Sequence, residues 1–151
     1  MTRHPPLSLP HEVTAGIRLA AMASAPYWAR RHVQDALGKW QATGETIETA
    51  ELLVSELVTN AAKLASPGII DVMLRYVPGR RLVIEVSDSD PHPPTLADPD
   101  PASESGRGLI LVQALSKEWS YRFLPSGGKT VYCVVTVLSE AGRPAGTPPG
   151  S

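Results

Sequence analysis

Proline placement decides where this chain can build regular structure, because each proline fixes its own φ and removes a backbone donor. Three of the fifteen prolines precede His11, five lie between Pro91 and Pro101, and three follow Glu140. Only Pro26, Pro67, Pro78 and Pro125 remain for everything else. The chain therefore reads as a Pro-rich arm over residues 1–12, one folded domain over 13–138, and a tail over 139–151. Both ends are too poor in apolar residues to order themselves. A length of 151 residues suits a single domain with a modest core.

Within the domain the apolar residues fall into blocks. Ile17, Leu19 and Ala21 alternate, predicting a short first strand. Ser24 is placed to cap a helix with Pro26 in its first turn, and Tyr27, Ala29, Val33, Ala36, Leu37 and Trp40 carry that helix towards Gly38 or Gly44. Thr46 to Ala65 is the strongest helical stretch. Ile47, Ala50, Val54, Leu57, Val58, Ala61 and Ala65 form a broad stripe suited to packing on a sheet, started by Thr46 with Thr49 and stopped by Pro67-Gly68.

Ile69–Val77 and Arg81–Ser87 are β-rich runs joined by Pro78-Gly79-Arg80, a hairpin pattern. Pro91 to Ser105 reads as a loop, and a loop of that length in a compact domain is usually functional or mobile. Gly106-Arg107-Gly108 opens a short helix through Leu115, Trp119–Leu124 and Thr130–Leu138 read as strands, and Ser126-Gly127-Gly128 turns between them. Strands in adjacent pairs with helices grouped between them predict an α+β fold, a two-layer sandwich whose mainly antiparallel sheet is covered by helices on one face.

Several functions fall away. Fourteen basic against fifteen acidic side chains leave no electrostatic footprint for non-specific nucleic-acid binding. No apolar run approaches the roughly 20 residues of a membrane span, and the start MTRHPPLSLPHEV lacks a signal peptide's apolar core, so a soluble, cytoplasmic protein is expected. The lone Cys133 forbids an internal disulfide and a four-cysteine metal site. Gly127-Gly128-Lys129-Thr130 is not a P-loop, because the first glycine of GxxxxGK[ST] is missing and a β-run follows instead of a helix.

Glu56 and Asn60 lie four apart on the long helix and share a face, with Lys63 a turn beyond. A carboxylate, an amide and an ammonium in a row can activate a hydroxyl, hold Mg²⁺ through an oxygen and meet a phosphate. The same triple is also what an ordinary solvated helix face presents. Asp88 ends a β-run, where it can accept from a ligand amino group or simply cap a turn. Gly106-Arg107-Gly108 before a helix offers free amide protons at a positive helix end, suited to phosphate, and equally suits any tight joint.

In combination these segments are more specific. ELVTNAAK at 56–63, VSDSDP at 86–91, ESGRGL at 104–109 and GGKTV at 127–131 resemble, in that order, the ATP-binding domain shared by histidine kinases, gyrase B and MutL. Within that superfamily the chain is similar to the small stand-alone anti-sigma factor serine kinases and their actinobacterial relatives. The resemblance implies the Bergerat ATP-binding fold over about residues 13–138, with ATP and Mg²⁺ between sheet and helices.

The resemblance also implies roles. Glu56 would be the catalytic general base, Asn60 would hold Mg²⁺, and Lys63 would lie near the phosphates. Asp88 would accept from the adenine amino group, with Thr130 beside it through water. Gly106, Arg107, Gly108 and Leu109 would form the phosphate-side joint, and Asp90 to Ser105 the mobile lid. The function so implied is an ATP-dependent protein serine kinase and anti-sigma regulator. Its partners would be a sigma factor and a small anti-anti-sigma protein of the STAS type, with a homodimer expected and no direct contact with nucleic acid or membrane. The alternative is a non-catalytic ATP-binding or purely protein-binding module, favoured by the acidic lid and by the absence of the DxGxG glycines after Asp88.

Overall fold

The computed structural model describes residues 11–94 and 105–137. The elements run β1 (Val13–Ala20), α1 (Ala25–Lys39), α2 (Gly44–Ala65), β2 (Ile69–Val77), β3 (Arg81–Asp88), α3 (Ser105–Leu115), β4 (Glu118–Phe123) and β5 (Lys129–Thr136). The five strands form one sheet in the order β1-β2-β3-β5-β4, every neighbouring pair antiparallel. This is the predicted α+β sandwich. One side of the sheet carries the main core, where Ile70, Val72 and Leu74 of β2 and Leu82, Ile84 and Val86 of β3 meet residues from all three helices. The other side holds a small separate cluster of Val83, Tyr132 and Val134.

Alternation along each strand explains this division, since every second side chain faces the helices. The helices answer with their stripes: Ala29, Val33 and Leu37 of α1, and Leu53, Val54, Leu57, Val58 and Ala61 of α2, are buried. Fully burying a side chain such as Leu37 or Leu53 contributes about 1.5–3 kcal/mol. Trp40, at the end of α1, stacks on Tyr76 of β2 with ring centroids 5.8 Å apart.

Helix starts depart from the sequence expectation. Helix α2 begins at Gly44, two residues before Thr46, because Thr43 is the cap and its hydroxyl accepts from the Thr46 amide at 3.2 Å. Ser24 does occupy the cap position of α1, but its backbone is already helical and its side chain makes no capping bond. That helix ends at Lys39 without a glycine cap. The arm at 1–10, the loop segment 95–104 and the tail from 138 onward lie outside the described residues.

Cys133 sits in β5 with no exposed surface, and burial pushes its thiol up from the ordinary 9.0 to about 12. The folded protein therefore keeps its proton where the unfolded chain loses it. Two results are expected: no reaction with a thiol reagent at pH 8 until denaturant is added, and a stability that falls as pH rises above about 9. Chemical denaturation at stepped pH checks the slope, about 1.4 kcal/mol per unit from this group.

Candidate functional site

Three polar side chains converge where α2, the end of β3 and the start of β5 meet. Asn60 borders the buried stripe of α2, one residue before Ala61, and is partly buried. Asp88 follows Leu82, Ile84 and Val86 on the helix-facing side of β3, so the alternation that builds the core carries a carboxylate to its edge. Lys129 reaches the same face from β5, directly opposite Asp88 in the register. Together they line a cleft of about 290 Å³, counting its open mouth, with apolar walls from Leu57, Val86, Leu109 and Val131. Mostly apolar walls with a few convergent polar groups are the usual make-up of a small-molecule site.

The floor of the cleft is a buried charge cluster. Lys129 Nζ donates to Asp88 Oδ1 at 3.1 Å, to Asp90 Oδ2 at 2.8 Å and to the Asp90 carbonyl at 3.3 Å. Asp88 Oδ1 also accepts from the Asp90 amide at 2.8 Å. The exposed His92 places Nδ1 2.9 Å from Asp90 Oδ1. Burial raises the Asp88 carboxyl above the ordinary carboxylate range, against the pull of the Asp90 amide and Lys129. For Asp90 desolvation is again the largest influence and acts upward, but the bonds and charges of Lys129 and His92 together outweigh it and hold the carboxyl low.

The residues singled out in the sequence divide. Asn60, Asp88 and Leu109 line the cleft. Glu56 is partly buried one helical turn before Asn60, and Lys63 is exposed; neither is among the lining residues. Gly106, Arg107 and Gly108 form the first turn of α3, as the joint predicted. Thr130 lies elsewhere: its register partner is Ser87, the two hydroxyls are 2.7 Å apart, and alternation turns both to the face away from Asp88 and Lys129. Lys129 and the buried side of Asp90 escaped the sequence reading. The signal is a lysine at the first residue of a β-run, but its partner is known only once β3 is seen to pair with β5.

Gly128 has a specific duty here. A Cβ at this position would overlap the carbonyl oxygen of Asp88 and come within 3.0 Å of the Asp88 carbonyl carbon and the Ser89 Cα, all of them backbone atoms. At Gly127 the same atom would meet open space, although φ is +100°. Gly127→Ala is therefore expected to cost about 1–2 kcal/mol of strain with ligand binding kept. Gly128→Ala is expected to cost about 1–3 kcal/mol and to weaken binding as well, because Asp88 must move. Thermal unfolding and a ligand titration on both variants check the contrast.

Among the described residues no group of three or more His, Cys, Asp or Glu is placed to hold a metal, and no helix is long and apolar enough to cross a membrane. The sequence model of the histidine kinase-like ATPase domain family matches residues 19–135. No curated protein matches the chain. Among solved structures, the chain is similar to the crystal structure of the RsbU and RsbW domains of Rv1364c from Mycobacterium tuberculosis. That match has a TM-score of 0.61 and 20% identity, over 87% of this chain and 34% of the other. The chain thus spans about a third of that protein chain's length, and at such identity the likeness is one of fold.

Proposed function

Because the chain belongs to the histidine kinase-like ATPase family, we propose that it binds Mg-ATP in the cleft and transfers the γ-phosphoryl group to a serine of a small partner protein. In this reading it acts as an anti-sigma regulator whose phosphorylated partner is the anti-anti-sigma protein. The observation that carries the reading is the meeting of Asn60 and Asp88 in one apolar-walled cleft, with Leu109 bringing the first turns of α3 alongside. Those two side chains lie 28 positions apart in the sequence, on α2 and β3, and the sequence resemblance gives them the two ends of the nucleotide.

Each residue then has a task. Asp88 accepts from the amino group of adenine, and the apolar walls hold the ring. The amide protons at the start of α3 and the glycines there receive phosphate. The donor set fits Mg²⁺ of the kind held mainly by substrate phosphates, since Asn60 offers one neutral oxygen and, among the described residues, no carboxylate cage surrounds it. When bound, that ion would neutralise charge on the phosphates. Glu56 takes the proton of the accepting serine as its Oγ bonds to the γ-phosphorus and the bond to the bridging oxygen breaks, leaving ADP.

The test is incubation of the full chain with γ-labelled ATP and a candidate serine-bearing partner. Label on the partner's serine supports the kinase reading. The cleft lining reaches Asn60 but not Glu56, and this favours, as a second reading, a module that holds nucleotide without transferring phosphate. Nucleotide binding with no transfer would select it.

A further inference from the structure

Lys129 has no part in phosphoryl transfer as described above, yet it is the most completely engaged side chain of the cleft. It is 2% exposed, and three oxygens within 3.3 Å account for its three protons. No proton is left to offer a ligand. Its Cα is fixed opposite that of Asp88 by the pairing of β3 with β5, and the Asp90 amide closes the ring on the same Asp88 oxygen.

We propose that Lys129 is a positioning residue for base recognition: by engaging Asp88 Oδ1 it leaves Oδ2 as the one acceptor presented to the base. The cleft would then favour a purine with an exocyclic amino group over one with a carbonyl in its place. The inference rests on the reading that Asp88 meets the base. A carbonyl set against an ionised carboxylate finds no donor, because the ammonium is already saturated. Among the described residues, the charged and titratable groups facing Asp88 are Lys129 and Asp90, with His92 behind Asp90; the cleft lining from α2 and α3 includes Asn60, Leu57 and Leu109, which carry no charge. Without Lys129, the two neighbouring carboxylates would share a proton. A protonated carboxyl donates as well as accepts and no longer separates the two bases.

Calorimetric titration of the full chain with Mg-ATP and with Mg-ITP, which carries a carbonyl where ATP has the amino group, tests this. The unmodified chain should favour ATP by about tenfold or more, and Lys129→Met should reduce that ratio to below about threefold. The loss of ATP affinity on acidification should also begin at a higher pH in the variant, a shift that a general loosening of the fold would not produce. Lys129→Gln, which keeps a donor but not the charge, gives the same comparison if the methionine variant does not fold. Equal affinities in the unmodified chain, or an unchanged ratio in a folded variant, overturn the proposal while leaving ATP binding intact. No binding of either nucleotide overturns the ATP reading and this inference with it.

Discussion

Glu56→Gln is expected to slow phosphate transfer to the partner serine by about 10²–10⁴-fold while leaving Mg-ATP binding within about twofold. The substitution keeps the size of the side chain and its helix propensity, so α2 should hold its place. It removes the capacity to take a proton. Glu56 is partly buried one turn from Asn60, near the cleft without being part of its lining. Loss of the base should therefore appear in the transfer rate and not in nucleotide affinity. Transfer at the unmodified rate would remove Glu56 from the mechanism; equal losses in rate and affinity would make it a binding residue instead.

Asp88→Asn is expected to weaken Mg-ATP binding by about 10- to 150-fold, the range that corresponds to one hydrogen bond to a charged acceptor. The asparagine can present a carbonyl or an amide to the base, and Lys129 keeps Asp90 as its ionic partner at 2.8 Å, so the fold should survive. The carboxylate is also the costlier state to bury, which is why its proton is held more tightly than usual. Acidification should mimic the substitution in part: as pH falls through the raised Asp88 range, the acceptor is protonated and ATP affinity drops. Affinity that is flat with pH and unchanged in the variant would take Asp88 out of base recognition.

Local pattern reached much of this fold from the sequence. The stripe from Ile47 to Ala65 depends on neighbours three and four residues away, and the β2–β3 hairpin needs only Pro78-Gly79-Arg80 to close it, so both are written in short windows. The start of α2 is ambiguous in sequence because Thr46 resembles a cap as much as Thr43 does, and only the bond from the Thr46 amide to Thr43 separates them. Of the residues singled out in the sequence, Asn60, Asp88 and Leu109 meet in one cleft.

What escaped depends on the pairing of β3 with β5, two strands separated in the chain by a helix and a third strand. That register decides that Lys129 faces Asp88 and that Thr130 faces Ser87, and a shift by one residue would set Thr130 or Gly128 opposite Asp88 instead. Asp90 was read as part of an acidic lid because it follows the strand in a Pro-rich run. Its carboxylate instead turns in to Lys129, and the exposed His92 meets its other oxygen. The other acidic residues of the expected lid, Asp98, Asp100 and Glu104, lie outside the described residues.

Calorimetric titration of the full, unmodified chain with Mg-ATP tests the central claim most directly. Saturable binding of one nucleotide per chain, weakened by Asp88→Asn in the range given above, is the predicted result. Absence of binding, or binding that Asp88→Asn leaves untouched, would contradict the placement of ATP in this cleft.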